Sequence, residues 1–173
     1  MINHLKKKFI SLSNKYNIKK KDKILDIGSN DGTFLNFFDN SKRCYGVDPS
    51  AKKLKKYYKK QIKLIPNSFQ RGFSKISGNK FKLISAVAMF YDLEEPLKLV
   101  NLIKTILCKD GILHIEVAYL PEIIRTFSYD TFCQEHYEYY SFMSLQYIFN
   151  KCHSVSKCSA TKNAYHRIYN PQR

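Results

Sequence analysis

Apolar residues recur along this chain in two alternating rhythms. Over residues 4–16, Leu5, Phe9, Ile10 and Leu12 form one side of an amphipathic helix. Residues 23–27 (KILDI) form a run too short for a helix and bounded by the turn sequence Gly-Ser-Asn-Asp-Gly, so they read as a strand. A helical pattern resumes over residues 33–38. Residues 43–47 are a second strand candidate, and residues 49–60 a helix with Ser50 near its start. Further strands are expected at residues 62–65, 81–89 and 112–117. Between the last two, residues 95–107 read as a helix and Asp110-Gly111 as the turn closing it; one more helix is expected at residues 141–150.

Strand–helix alternation with short connections predicts an α/β fold, a mostly parallel sheet covered by helices. The run Leu83–Met89 is apolar on both parities, as a strand buried on both faces would be. An open sheet of this kind gathers ligands at the carboxyl ends of its strands, so the loops after residues 27, 47, 89 and 117 should share one crevice.

Length and composition narrow this only a little. The 173 residues suffice for one domain with a sizeable core, and the 44% apolar content is that of an ordinary globular chain. No run approaches the roughly 18 apolar residues of a membrane span, and the basic start MINHLKKKFISL is too sparsely apolar for a secretory signal. The 5 cysteines are widely spaced with no CxxC pair, which argues against a disulfide framework or structural zinc and for a reducing, cytoplasmic setting. The net charge of +16 would suit a nucleic-acid partner. Yet the charge is mostly lysine, in clusters at residues 6–8, 19–23 and 52–60, and lysine, asparagine, isoleucine and tyrosine together also mark drift toward A/T-rich codons. Solvated surface lysines are therefore preferred here to a nucleic-acid footprint.

Candidate chemistry starts at KILDIGSNDGTFL, residues 23–35. Gly28 and Gly32 frame a tight turn whose backbone can approach a ligand closely. The spacing is not the Gly-x-Gly-x-x-Gly of dinucleotide binders, and no Gly-Lys-Ser/Thr ending marks a P-loop. Asp26, two residues before the turn, suits a cationic ligand better than a pyrophosphate. Asp48 ends the second strand candidate, twenty residues after Gly28, where a carboxylate can accept hydrogen bonds from both hydroxyls of a ribose. Its plainer reading is a cap on the helix that begins near Ser50; with the glycine turn in place, ribose binding is preferred.

Together, DIGSNDG, GVDPS and AMFYDLEEP resemble a class I S-adenosylmethionine-dependent methyltransferase. AMFYDLEEP, GILHIEVAYLP and YDTFCQEHYEYYS, in that order, are similar to motifs of the C-methyltransferases of nucleotide-linked keto-deoxysugars, over roughly residues 20–150. The resemblance implies a Rossmann-like three-layer sandwich with S-adenosylmethionine as cofactor, no metal, and a nucleotide-sugar substrate. It implies that a base removes the proton beside the sugar's keto group and that the enolate attacks the sulfonium methyl. His136 matches the last His of the family's His-Glu-His and is the expected base; Glu135 matches the central Glu and is expected to orient the sugar or the imidazole. Gly28, Asn30 and Gly32 match the turn around the methionine portion, and Asp48 the ribose ligand. Asn67 and Ser68 fall where the family contacts adenine, and Ala88, Met89 and Phe90 at the strand end beneath the sulfonium, with core packing the competing reading for Met89 and Phe90. Asp92 and Tyr91 are expected in the same crevice, and Tyr139 and Tyr140 in the sugar pocket.

The chain also departs from that pattern. Gln134 stands where the family has its first His, at a position expected to contact substrate; it can donate a hydrogen bond but carries no charge. Cys133 is expected as a structural thiol, His114 as a core histidine, and Glu116 within reach of the crevice. Measured against that family, the expectation is the core without its N-terminal four-cysteine zinc domain or its C-terminal domain, either the middle of a longer enzyme or a truncated relative. A full seven-stranded sheet would need about two more strands after residue 150; residues 153–160 offer one, and residues 161–173 form a polar tail. The expectation is a methyltransferase domain over residues 1–160, truncated at its last strands, with an exposed sheet edge inviting self-association or a partner chain. Two alternatives stay open: a methyltransferase of the same fold acting on RNA or another small molecule, and a non-catalytic remnant.

Overall fold

In the computed structural model, residues 1–39 and 43–152 are described, together with the backbone of residues 158–162. After an N-terminal helix α1 (Ile2–Lys15), the chain alternates β1 (Ile24–Ile27), α2 (Thr33–Asn36), β2 (Cys44–Val47), α3 (Ala51–Leu54), β3 (Lys63–Ile65), α4 (Phe69–Gly72), β4 (Phe81–Val87), α5 (Pro96–Ile106), β5 (Leu107–Val117), α6 (Leu120–Arg125), α7 (Phe142–Lys151) and β6 (Cys158–Lys162). All six strands are parallel, in the order β3-β2-β1-β4-β5-β6. Among the described residues β3 and β6 are therefore the edges of the sheet. The expected strand within residues 153–160 is met only by its end, because residues 153–157 lie outside the described residues. Of the expected polar tail, residues 161–162 belong to β6 and the rest likewise lies outside them.

Both faces of the sheet are covered. On one side Leu25, Ile27, Ile84, Ala86, Leu113 and Ile115 pack against Leu99, Val100, Ile103 and Ile106 of α5 and Leu145 and Ile148 of α7. On the other, Ile24, Cys44, Leu83 and Ile112 meet Leu12 of α1 and Phe34, Leu35 and Phe38 in and after α2. The double-sided apolar run of β4 is thus divided between two cores, as its unbroken pattern required.

Several boundaries differ from the sequence pattern for physical reasons. Ile10 is 46% exposed, because a helix turns about 100° per residue and the stripe is completed by Leu5, Phe9 and Leu12 instead. Residues 49–60 do not form one helix: α3 lasts a single turn, Lys55–Tyr57 tighten into a 3-10 turn, and Tyr58 is extended (φ −83°, ψ 142°) so that its ring can turn inward. The pair Asp110-Gly111 lies inside β5. Phe81 pairs with Leu107 but Leu83 with Ile112, so residues 108–111 bulge out of the ladder near the strand's start.

One row of the sheet is polar and buried. Asp26 is in register with Ser85, and Ser85 with His114, all on the α1 side and all under 5% exposed. One step toward the strand ends, Glu116 is 1% exposed; its Oε1 lies 2.6 Å from His4 Nε2 and its Oε2 3.5 Å from Lys8 Nζ. Two residues of α1 thereby anchor that helix over the carboxyl end of β5.

Candidate functional site

The glycine turn is built to hold its backbone open. Gly28 and Gly32 have φ of +71° and +75°, where side-chain-bearing residues are strained. A Cβ on Gly28 would sit 2.8 Å from Met89 Cγ, and one on Gly32 would sit 2.4 Å from the Tyr58 ring. Asn30 between them is also left-handed at φ +45°, a conformation its short polar side chain tolerates.

Two side chains from later elements clamp this turn. Asp48 Oδ2 accepts the Asn30 N–H at 2.9 Å, while its Oδ1 accepts the Ser50 N–H at 2.6 Å and the Ser50 hydroxyl at 2.5 Å. Tyr58 donates its hydroxyl to the Asn30 carbonyl at 2.6 Å and lies 2.8 Å from Ser29 Oγ. Asp48 therefore holds Ser50, the N-cap residue of α3, without capping the helix's own N–H groups, and it also lines the cleft; a carboxylate offers about four acceptor positions, so further donors can still be accommodated. Burial pushes the Tyr58 phenol up to about 12, keeping it a neutral donor.

Asp26 lies beneath the turn, 4% exposed, and accepts the Ser85 hydroxyl at 2.6 Å. Burial raises its carboxyl to about 7, against the lowering effect of the Ser85 bond and with a smaller upward push from Asp48. A cation placed over it would reverse that shift.

These elements bound a cleft of about 810 Å³, within the ~300–1,000 Å³ usual for small-molecule sites. Gly28, Asp48, Ser68, Met89, Asp92 and Tyr137 contribute to its wall. A second depression of about 970 Å³ lies over α5 and α7 and contains none of the glycine turn.

Asn67 lies two residues past the end of β3, next to Ser68, and is not among the residues lining the cleft. Ala88, left-handed at φ +52°, is exposed and donates its N–H to the Glu116 carbonyl at 2.9 Å. Phe90 is not in the cleft. It is fully buried and packs on Tyr140 at 5.3 Å between ring centroids, which settles its competing readings in favour of core. Tyr140, 1% exposed, belongs to that same core and edges the depression over α5 and α7, not the cleft at the glycine turn.

The segment after α6 is pinned to the end of β4. Tyr137 and Glu138 donate their N–H groups to the Tyr91 carbonyl at 3.0 and 3.2 Å, and the Tyr137 hydroxyl donates to Glu94 at 2.8 Å. This sets His136 against Tyr91, with ring centroids 4.1 Å apart, and places His136 Nε2 3.8 Å from Asp92 Oδ1. His136 Nδ1 is buried with no hydrogen-bond partner among the described residues. Partial burial raises the Asp92 carboxyl, the neighbouring His136 draws it down, and Glu135 raises it. Tyr139 flanks His136 at 5.6 Å, its hydroxyl accepting the Cys133 N–H at 2.7 Å. Gln134 and Glu135 are exposed at the tip of the turn, Cys133 is a half-buried free thiol, and His114 is fully buried in the sheet.

Tyr58 and Ser85 escaped sequence reasoning. Ser85 had a signal, a lone hydroxyl in an otherwise apolar strand; Tyr58 had none, since it looks like one more aromatic after a lysine run. Among the described residues, no group of three or more His, Cys, Asp or Glu side chains converges to hold a metal ion, and no helix is long and apolar enough to cross a membrane.

Comparison with known proteins fits this architecture. The family model described as "Methyltransferase domain" matches residues 1–152. The C-methyltransferase NovU of Streptomyces niveus is 25% identical over 153 residues, covering 86% of this chain but only 36% of that protein. The chain therefore spans about a third of that relative's length. Among solved structures, a SAM-dependent methyltransferase from Archaeoglobus fulgidus superposes with a TM-score of 0.63 at 15% identity, covering 86% of this chain and 68% of the other. The plantazolicin methyltransferase BpumL, solved in complex with SAH, gives 0.57 at 18% identity, with 86% and 57% covered. At such identities the likeness establishes the fold.

Proposed function

This chain belongs to the methyltransferase-domain family, and from that premise we propose that it is the core of an S-adenosylmethionine-dependent C-methyltransferase acting on a nucleotide-linked keto sugar. The observation that supports the proposal is one cleft lined by Gly28, Asp48 and Asp92, with His136 Nε2 3.8 Å from that Asp92 carboxylate. The donor set suits the cofactor. Asp48 lies where ribose hydroxyls would donate, the open turn Gly28–Gly32 offers backbone without side-chain obstruction, and Asp26 and Asp48 favour a ligand carrying positive charge. When bound, S-adenosylmethionine supplies an electrophilic methyl group on a sulfonium.

The chain's own residues would do the rest. His136 Nε2, the ring nitrogen directed at Asp92, accepts the proton from the carbon next to the keto group. The resulting imidazolium is stabilised by the Asp92 carboxylate 3.8 Å away and by the face of Tyr91. The carbanion so formed would be held in line with the methyl group that the cofactor would supply. Ser68, Met89 and Tyr137 line the cleft, Tyr139 stands beside His136, and Glu135 and Gln134 are exposed on the same segment. The partial similarity to a protein named a C-methyltransferase supports carbon as the methylated atom, and the order of motifs along this sequence supports the sugar acceptor.

The test is calorimetry with S-adenosylmethionine followed by a methyl-transfer assay on a TDP-4-keto-6-deoxyhexose. His136→Ala should lower turnover by about 10²–10⁴-fold with cofactor affinity unchanged. Loss of cofactor affinity in that variant would count against the base. Binding without transfer, even with Gln134→His, would leave a core that holds cofactor but not this acceptor.

A further inference from the structure

We propose that the end of the sheet opposite the cleft docks the phosphate backbone of a nucleic acid. This inference does not rest on the methyl-transfer reading. Because every strand points the same way, each segment leaving a strand opens toward the cleft and each segment entering one lies at the far end. The chain's charges are sorted along that axis. Of 14 acidic residues, only Asp22, Asp39 and Asp110 belong to the entering segments. Those segments carry Lys20 before β1, Arg43 before β2, Lys60 before β3, Lys80 before β4 and Lys109 at the start of β5, all exposed.

At the centre of this face two ammonium groups are gathered by neutral oxygens. Lys23 Nζ donates to Asn79 Oδ1 at 2.6 Å, the Tyr45 hydroxyl donates to the same oxygen at 3.2 Å, and Lys63 Nζ donates to the Tyr45 hydroxyl at 3.0 Å. The partners orient the charges without neutralising them. Likewise Lys80 Nζ donates to the Thr105 carbonyl at 2.6 Å, while Lys82, among the described residues of this face, is met by the Asp110 carboxylate at 2.5 Å. An oriented, uncompensated cluster of cations is a receptor for an anion.

The shape of that anion follows from the sheet. Five neighbouring strands at ~4.8 Å spacing carry the cations across about 19 Å, which calls for an extended polyanion rather than a single phosphate. A nucleic-acid duplex presents a charge about every 1.7 Å of axis. A membrane surface fits less well. Most of the exposed large apolar residues, among them Ile2, Leu97, Phe127 and Met143, lie on α1, on α5 and in or near α6 and α7; at this end Tyr57, before β3, is a single exposed ring and a weak membrane anchor. Lysine predominates over arginine, so phosphates rather than base edges would be read and binding would be independent of sequence.

Fluorescence anisotropy with a labelled mixed-sequence RNA of about 20 nucleotides, and the matching DNA duplex, tests this across 50–200 mM KCl. Wild-type protein should bind, with affinity falling by about 10²-fold over that range if roughly five phosphates are neutralised. Lys20→Gln/Arg43→Gln/Lys60→Gln/Lys80→Gln should lower affinity at least tenfold and flatten the log–log salt slope by about 3, with the melting temperature retained. Lys6→Gln/Lys7→Gln/Lys52→Gln/Lys53→Gln removes the same charge elsewhere and should change affinity less than about twofold. The proposal is overturned by equal losses in the two variants, or by no salt-sensitive binding at 50 mM. It is equally overturned if phosphatidylserine vesicles, or polyglutamate charge for charge, compete as well as RNA does.

Discussion

Asp26 is the residue at which burial and chemistry meet most sharply. Its carboxyl, ordinarily near 3.8, is raised to about 7 chiefly by burial. Between those two values the folded chain holds a proton that the unfolded chain has released, so stability falls as pH rises through the window and stays lower above it. Asp26→Asn removes the titration while keeping an acceptor for Ser85. Wild type should therefore lose on the order of 2–4 kcal/mol relative to this variant between pH 4 and pH 8. Thermal melts of both proteins across that range would show it, and a constant difference would mean that Asp26 does not titrate there. The neighbouring turn was half legible in the sequence. Two glycines and Asp48 announced it, because tight-turn chemistry is local. Its clamp by Tyr58 depends on a ring arriving from beyond α3, which no local pattern encodes.

Among the elements, α1 has the contact that fold reasoning least expects. Its apolar stripe secures it to α2 and the sheet, but His4 and Lys8 converge on Glu116 at the end of β5. Hydrogen bonds to a charged group contribute about 1.5–3 kcal/mol, enough to decide whether the first turns of a short helix stay docked. Glu116→Gln should speed amide exchange over residues 2–15 by about tenfold while β1 and β4 keep their protection. Unchanged exchange in α1 would show that its apolar stripe alone holds it. The same scale explains why the helix expected over residues 49–60 is so short. Helical periodicity continues in the sequence, but Tyr58 gains more by turning inward to Ser29 and Asn30 than by prolonging an exposed, lysine-rich turn.

For the molecule as a whole, the net charge of +16 is unevenly distributed rather than merely large. Crowded cations at the amino ends of the strands repel one another in the folded state and are screened by salt, with a Debye length of about 10 Å at 0.1 M. Raising KCl from about 20 to about 300 mM should therefore raise the melting temperature by a few degrees, where 1 kcal/mol corresponds to about 2–4 °C at this chain length. A melting temperature that fell with salt would mean that ion pairs, such as those at Glu116, outweigh the repulsion. Composition displayed the lysines but gave no account of their arrangement; strand direction supplies it.

Periodicity and turn chemistry act between near neighbours, so the sequence alone determined the alternation of strands and helices, the doubly buried β4 and the glycine turn with Asp48 after it. His136 and its surroundings were pointed to by resemblance to known motifs, not by local physics. Tertiary structure decided everything that depends on register between distant segments. It set Ser85 against Asp26 across 59 positions, drew residues 133–138 onto Tyr91 so that His136 faces Asp92, and sent Phe90 and Tyr140 into the core. It also brought Lys20, Lys60, Lys80 and Lys109, far apart in sequence, to the same end of the sheet. Such contacts are fixed by strand order and packing, which arise only when the whole sheet is assembled.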